Sequence, residues 1–273
     1  MYKRTTMKTI LITGASAGLG KATARLFQER GWRVIATMRH PERETELNQL
    51  ENVFILQLDV TNLKQIDEAV KQATAIADVD VVFNNAGYSL LGPLEAYSDE
   101  QIVSLLETNL LGVIRVTKAF IPHFRKKGSG LFITTTSIGG LVSFPFSSMY
   151  HASKHAIEGW TASMACELLP FGIGIKTIAP GGINTECFNR SVVVEMPEYK
   201  KEFDAYLSFP ATNEIDEAST VAEVVYEAAT DGKDKLRYVV GKYANSVYNK
   251  SLTTNRDEFV RQLGESIYSQ IHR

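Results

Sequence analysis

Short apolar runs alternate with longer segments whose apolar residues recur at helical spacing, from the start of the chain to about residue 180. The strand-like runs are residues 9–13, 33–39, 53–58, 80–83, 131–136 and 174–179, and a seventh follows at 236–241. Because strands that alternate with helices are joined by right-handed crossovers, this pattern predicts an α/β fold. It would be a doubly wound parallel sheet of seven strands with helices on both faces.

Three further segments are less regular. Residues 98–124 have the period of one long helix, in which Asn109 is unfavourable unless it breaks the helical ladder or holds water. Residues 186–215 mix apolar and charged positions, which predicts either a helical lid over an apolar pocket or a surface excursion packed on its own aromatics. The tail at 242–273 is expected to be helical, and to cover the pocket, pack on the core or meet a partner subunit. Without repeats or linkers, residues 1–273 are expected to form a single domain.

Composition and charge narrow the class of protein. Of 273 residues, 44% are hydrophobic and 22% charged, as in a soluble globular protein, and the formal net charge of -2 argues against nucleic-acid binding. No apolar run approaches the ~18 residues of a membrane span, and the basic start lacks the apolar core of a signal peptide. Cys166 and Cys187 are expected to be reduced thiols in a cytoplasmic protein.

A glycine-rich turn lies between the first strand and the first helix. Gly14, Gly18 and Gly20 have the spacing G-x-x-x-G-x-G. Glycines there permit a tight turn and let backbone N–H groups approach a pyrophosphate at the helix N-terminus, where the helix dipole favours anions. The turn indicates the dinucleotide site of a Rossmann-type fold, and a purely structural strand–helix turn is the alternative.

The end of the second strand bears on the choice of dinucleotide. Proteins that bind NAD tend to have an Asp or Glu about 20 residues after the glycines, and its carboxylate accepts a hydrogen bond from the ribose 2′-hydroxyl. Thr37 occupies that region, and Arg39 follows it. Since a guanidinium suits a 2′-phosphate, the sequence favours NADP(H) over NAD(H), and a solvated arginine is the alternative.

Several of these polar and small residues stand at the carboxyl ends of strands. In a parallel sheet such ends meet at one rim, where ligands bind. The rim is predicted to contain Gly14, Thr37, Asn84, Ser137 and Pro180.

Tyr150 and Lys154 form a candidate proton-handling pair. Four positions apart on a helix, they share one face, and a cation near a phenol lowers a pKa that is ordinarily near ~10. His151 and His155 have the same spacing, as two metal ligands would. They lie about 100° round the helix and no Glu follows His151, so packing or solvent contact is expected and a metal site is not.

As a set, the motifs resemble the short-chain dehydrogenase/reductase family in its compact single-domain form, over residues 8–241. The resemblance implies a catalytic tetrad of Asn109, Ser137, Tyr150 and Lys154. For cofactor binding it implies Gly14, Ser16, Gly18, Leu19, Gly20, Arg39, Asp59, Val60, Asn85, Ala86, Gly87, Tyr150, Lys154, Pro180, Gly181, Ile183 and Thr185. Thr136 departs from the pattern, since many members have a second serine there.

The resemblance also implies an activity. It would be NADP(H)-dependent interconversion of a ketone or aldehyde and an alcohol, with Tyr150 as proton donor, Lys154 as its tuning cation and ribose contact, Ser137 as hydrogen-bond donor and Asn109 as holder of a water. An NAD-dependent alcohol dehydrogenase and a non-catalytic NADP(H)-sensing regulator are the alternatives. An extended sugar epimerase or dehydratase would need more chain after the seventh strand.

The strand end at Arg39 is similar to that of members that act on hydrophobic ketones and alcohols, including steroid- and retinol-type dehydrogenases. A carbonyl reductase on a hydrophobic small molecule is therefore expected, and family membership implies a homodimer or homotetramer. The expected substrate pocket is lined by Ser137, Phe144, Phe146, Tyr150, Phe188 and Met196.

Overall fold

Seven parallel strands form one sheet in the computed structural model, which describes residues 7–184, 191–209 and 215–269. The strands are β1 (Thr9–Thr13), β2 (Arg33–Met38), β3 (Val53–Gln57), β4 (Val81–Asn84), β5 (Gly130–Thr135), β6 (Ile173–Pro180) and β7 (Arg237–Val240). Their order across the sheet is β7-β6-β5-β4-β1-β2-β3. Successive strands are added on one side of β1 up to β3 and on its other side from β4 onwards, and β1 and β4 are parallel neighbours. The predicted fold class is confirmed, and the strand ends differ from the expected ones by one residue at most.

Nine helices in the described part of the chain pack around this sheet. They are α1 (Gly18–Glu29), α2 (Leu63–Ile76), α3 (Asp99–Leu106), α4 (Val113–Lys127), α5 (Ser148–Leu168), α6 (Lys200–Leu207), α7 (Ala218–Thr230), α8 (Lys242–Thr253) and α9 (Arg256–Tyr268). Side chains along a strand alternate between faces, so Ile10 and Ile12 join the core beneath α1 and α7, while Leu11 joins the one beneath α2 and α4. Burial on both faces explains why the strands are continuous apolar runs.

The segment predicted as one long helix contains a wider turn. Between α3 and α4, Glu107–Gly112 is π-helical, and it contains the fully buried Asn109. A π-turn displaces the backbone ladder locally and occurs often at functional sites. The break in the helical ladder that Asn109 suggested from the sequence is therefore a π-turn.

The lid and the tail pack on each other. Within the predicted lid, α6 is preceded by a short 3₁₀ turn at Pro197–Tyr199. Ile267 of α9 joins Phe203 and Tyr206 of α6 in one buried cluster. Two of the three roles left open for the tail are observed. Val247 and Phe259 pack in a core cluster with Ile138, and Tyr243 lines the cavity beneath the lid. Among the described helices, none is long and apolar enough to cross a membrane.

Candidate active site

The carboxyl ends of the strands surround one cavity of about 1160 Å³. Gly14, Ser137 and Pro180 line it, as expected of a shared rim. Thr37 and Asn84 point into the fold instead: the hydroxyl of Thr37 donates to Ile12 O at 3.0 Å, and Asn84 Nδ2 donates to Thr117 Oγ1 at 2.9 Å. Three of the five predicted rim residues thus line the cavity.

The glycine turn approaches the chain after β4 closely. Gly14 has a φ of +68°, and a Cβ there would lie 2.8 Å from the Cα of Ala86. A Cβ at Gly20 would lie 2.7 Å from Asn85 Nδ2. Glycine is therefore needed at Gly14 for its φ and at both positions for space.

Asn85 fixes the shape of this turn. Its Nδ2 lies 3.3 Å from both Thr13 O and Gly14 O, and its Oδ1 accepts from Thr135 Oγ1 at 3.2 Å. Thr13 Oγ1 in turn accepts the N–H groups of Asn85 and Ala86, at 2.9 and 3.0 Å. The ends of β1, β4 and β5 are thus tied together beside the cavity.

The geometry of the turn fits a dinucleotide pyrophosphate. Helix α1 begins at Gly18, with a φ of +53°, and Ala17 at the N-cap has no side-chain acceptor for the first N–H groups. Such N–H groups bind anions readily. Of the predicted contacts on this side, Ser16, Gly18 and Leu19 line the cavity, and Gly20 packs behind the turn.

Arg39, Asp59 and Val60, which are predicted to contact the cofactor, line the cavity. Burial raises the pKa of Tyr88, and the positive charge of Arg39 opposes that rise. The carboxylate of Asp59 accepts from Thr61 N at 2.9 Å and from Thr61 Oγ1 at 2.8 Å, which fixes its orientation. A basic and an acidic side chain thus stand where the adenosine end of a dinucleotide would lie.

Tyr150 and Lys154 come together on α5, at the wall of the cavity. The ammonium nitrogen of Lys154 lies 5.7 Å from the centroid of the Tyr150 ring and donates to Thr135 O at 2.8 Å. Lys154 is only 6% exposed. A carbonyl at the end of β5 therefore holds the buried ammonium beside the phenol.

Ser137 follows the end of β5 and faces the same space. Its Oγ accepts the N–H of Gly139 at 3.0 Å, at the start of the 3₁₀ turn Ile138–Gly140. A hydroxyl has one proton and two lone pairs, so this contact leaves the proton of Ser137 able to donate to a ligand.

Asn109 lies behind the wall rather than on it. Its Oδ1 accepts Tyr88 N–H at 3.0 Å and its Nδ2 donates to Tyr88 O at 2.9 Å. A Cβ at Gly87 would lie 3.0 Å from Asn109 Oδ1 and 3.8 Å from Lys154 Nζ. The side chain of Asn109 thus fixes the backbone that passes next to Lys154.

The remaining predicted cofactor residues line the cavity where they are described. They are Asn85, Ala86, Gly87, Pro180, Gly181 and Ile183. The N–H of Gly181 donates to Val240 O at 3.1 Å, and Ile183 pairs with Asp216 in a short two-stranded sheet. Thr185 lies outside the described residues, as does Phe188 of the predicted substrate pocket.

The substrate side differs in part from the expectation. Phe144 lines the cavity. Phe146, at a φ of +59°, packs behind the wall, with its ring 5.1 Å from that of Phe203, and Met196 is half-buried outside the wall. Apolar residues that were not predicted line the cavity in their place, namely Leu91, Tyr206, Leu207, Phe209 and Tyr243. Tyr206, Leu207 and Phe209 lie in the predicted lid, whose apolar character was the only signal that they would face the cavity.

His151 is part of the same wall and is almost fully buried. Its Nδ1 lies 2.8 Å from Gly139 O, and its Nε2 accepts Phe144 N–H at 3.1 Å. Burial lowers its pKa to about 4, so the ring is neutral at neutral pH. The expectation that this histidine packs is met, and the described residues contain no cluster of three or more metal-ligand side chains.

Comparisons with known proteins agree with this arrangement. Residues 8–193 match the family model described as short chain dehydrogenase. An uncharacterized oxidoreductase of Bacillus subtilis, YusZ, is 37% identical over 251 residues, which are 86% of this chain and 89% of that protein. Human 17-beta-hydroxysteroid dehydrogenase type 1 is 38% identical over 187 residues, 64% of this chain and 57% of that protein. A solved short chain dehydrogenase from Burkholderia cenocepacia, in complex with NADP, has a TM-score of 0.78 at 26% identity and covers 94% of this chain and 97% of its own.

The chain belongs to the short-chain dehydrogenase family, as the family model and the relatives show. It is an oxidoreductase that acts on a CH–OH group with NAD(P) as its partner cofactor. The resemblance drawn from the sequence motifs is confirmed at this level.

Proposed function

We propose that this protein is an NADP(H)-dependent carbonyl reductase that converts a hydrophobic ketone or aldehyde to its alcohol. One observation carries the proposal: Tyr150, Lys154 and Ser137 stand on the wall of the same cavity as the glycine turn. A carbonyl group at that wall would meet a phenol, a hydroxyl donor and a buried cation together. When bound, the nicotinamide supplies the hydride for reduction or accepts it for oxidation.

The proton steps belong to the side chains of this wall. In reduction, Tyr150 gives its phenolic proton to the carbonyl oxygen as negative charge builds there, and Ser137 donates a hydrogen bond to the same oxygen. The charge of Lys154 stabilises the phenolate that Tyr150 becomes when it loses this proton. A positioned proton donor of this kind contributes about 10²–10⁴ in rate.

Asn109 and Lys154 have further roles in the proposal. Lys154 also binds the hydroxyls of the nicotinamide ribose. Asn109 holds a water that connects Lys154 to solvent. Its two hydrogen bonds to the backbone of Tyr88 support this role, because they fix the backbone that passes next to Lys154. The π-helical turn around Asn109 supports it too, because such a turn displaces main-chain groups from the regular ladder.

NADP(H) is the proposed cofactor because Arg39 lines the cavity at the end of β2. Thr37 stands where NAD binders tend to place an acid, and it is fully buried and donates to Ile12 O. A guanidinium in that region would pair with a 2′-phosphate. The NADP complex of the relative from Burkholderia cenocepacia is consistent with this choice.

A hydrophobic substrate is proposed because aromatic and aliphatic side chains surround the far end of the cavity. Phe144, Tyr206, Phe209 and Tyr243 are among them. The partial likeness to a hydroxysteroid dehydrogenase supports the same substrate class. We also retain a homodimer or homotetramer in the cytoplasm as part of the proposal.

The proposal is tested with a panel of hydrophobic ketones and aldehydes, followed by the loss of NADPH or NADH absorbance in parallel reactions. Turnover with NADPH is expected, and Tyr150→Phe should abolish nearly all of it while NADPH still binds. Tyr226→Phe, on the far face of the sheet beside Phe27, is the matched control and should stay near wild type. Wild-type turnover by Tyr150→Phe would reject the assignment, and NADPH binding without turnover on any substrate would favour a sensor of the cofactor.

A further inference from the structure

His151 connects α5 to the segment that follows β5. The imidazole is 6% exposed and lies between Gly139 O, at 2.8 Å from Nδ1, and the N–H of Phe144, at 3.1 Å from Nε2. Because the Phe144 N–H is a donor, Nε2 must be the unprotonated nitrogen, and the proton sits on Nδ1. A single neutral ring therefore holds both ends of residues 139–144.

The same contacts connect His151 to the residues of the proposed active site. Gly139 donates its N–H to Ser137 Oγ at 3.0 Å and accepts from His151 through its carbonyl, so two hydrogen bonds and one residue separate Ser137 from His151. On the other side, the Phe144 ring lines the cavity with its centroid 5.9 Å from the imidazole. Tyr150 precedes His151 in the helix, and their ring centroids are 5.8 Å apart.

The segment lies so close to α5 that its glycines leave no spare room. A Cβ at Gly139 would lie 2.7 Å from Cε1 of His151, and one at Gly140 would lie 3.0 Å from Lys154 O. The imidazole thus sets the separation between the wall that carries Ser137 and the helix that carries Tyr150.

We propose that His151 is a positioning residue for carbonyl reduction: it holds the Ser137 hydroxyl and the Phe144 ring in register with Tyr150. The inference rests on the proposed function, because it assigns His151 to the geometry of that site. His151 touches neither substrate nor cofactor in this role and acts through Gly139 and Phe144.

Two substitutions at His151 and a matched control test the proposal. His151→Phe keeps a ring and removes both hydrogen bonds, whereas His151→Gln retains one donor and one acceptor. His155→Phe is the control, since His155 lies one turn further along α5 and its Nδ1 bonds to the helical carbonyl of His151 at 3.0 Å. With NADPH and the best ketone of the panel, His151→Phe should lower kcat ~10²-fold, because Ser137 and Phe144 would no longer be aligned with Tyr150. His151→Gln should recover most of that loss, and His155→Phe should stay near wild type.

Combination with Ser137→Ala separates positioning from general stability. If His151 acts through Ser137, adding His151→Phe to Ser137→Ala should lower kcat by less than about threefold further, because the two changes share one pathway. The dissociation constant for NADPH should change by less than about twofold in every variant. Equal losses in both backgrounds, or a loss confined to thermal stability and NADPH binding, would overturn the proposal.

Hydrogen exchange gives a readout that needs no substrate. The amides of residues 137–146 should exchange faster in His151→Phe than in wild type or His155→Phe. Faster exchange in a protein without carbonyl turnover would reject the proposed function and still support the anchoring of this segment. Unchanged exchange would overturn the proposal, and if His151→Phe does not fold, His151→Gln is compared with wild type in the same way.

Discussion

At the scale of single residues, the predicted tetrad divides into two kinds of environment. Tyr150, Ser137 and Lys154 line the cavity, whereas Asn109 lies behind its wall and is held by the backbone of Tyr88. Motif spacing does not distinguish the two kinds, because it records which residues occur together and not where their side chains point. The position of Asn109 behind the wall is therefore the part of the tetrad that required the structure.

Arg39 is expected to decide between the two nicotinamide dinucleotides. Arg39→Ala should raise the dissociation constant of NADPH by about tenfold or more, as for the loss of hydrogen bonds between charged groups, and leave that of NADH nearly unchanged. Arg43→Ala is the matched control, since Arg43 is exposed and lies near Glu42. Titration of cofactor fluorescence measures both constants, and equal loss for NADPH and NADH would reject the NADP preference.

His151 is also expected to make stability depend on pH. Its pKa is about 4 in the folded protein, against an ordinary 6.5, so the unfolded chain takes up the proton first as the pH falls. The free energy of unfolding should therefore decrease below the ordinary pKa, by about 2 kcal/mol between about pH 7 and about pH 5 for this group.

Urea unfolding of wild type and His151→Phe at both pH values measures this contribution. Other groups titrate in both proteins, so the difference between the two pH dependences isolates His151. Parallel pH dependences would contradict the neutral, buried state of the ring.

At the scale of elements, the strands were predictable because their period and burial agree. β1 is buried at every position and reads as a continuous apolar run. The π-turn at Glu107–Gly112 was not predictable as such, because residues 98–124 have the apolar period of one continuous helix. The hydrogen bond between Asn109 and Tyr88, which accompanies the turn, joins residues that are distant in the sequence. The short strand pairs, such as Gly182–Asn184 with Ile215–Glu217, could not be predicted either, because segments of three residues are too short to show a period.

One buried ion pair joins α5 to the sheet one turn after Lys154. Glu158 accepts from Thr136 Oγ1 at 2.6 Å and from Arg237 Nε at 2.8 Å, and its side chain is 7% exposed against 27% for Arg237. Glu158→Gln should leave a partly buried guanidinium without its counter-charge, and lower the free energy of unfolding by about 2–3 kcal/mol, a reduced value because Arg237 is partly solvated.

Thermal and urea unfolding measure that loss. Glu167→Gln, on the exposed side of the same helix, is the matched control and should fall within about 0.5 kcal/mol of wild type. Equal stability of the two variants would mean that solvent already satisfies the pair.

At the scale of the whole molecule, the described tail packs behind the end of the cavity that is proposed to take the substrate. Ile267 and Leu263 of α9 pack in the cluster that contains Phe203 and Tyr206, and Tyr206 lines the cavity. The sequence left the role of the tail open because an amphipathic helix shows that one face is covered and not what covers it. Contact with the lid means that the last helix helps to determine the shape of the proposed substrate pocket.

Ile267→Ala is therefore expected to affect the substrate more than the cofactor. Ile267 is 3% exposed, and its truncation should leave a void behind Phe203 that costs about 2–5 kcal/mol locally and loosens α6. The KM for bulky hydrophobic ketones should rise. The dissociation constant of NADPH should stay unchanged, because its proposed site is at the other end of the cavity. Val260→Ala is the matched control on the same helix, since Val260 is 57% exposed. Steady-state kinetics with substrates of increasing size make the comparison, and a parallel loss of NADPH binding would show that the void spreads through the domain and that the tail is not specific to the substrate side.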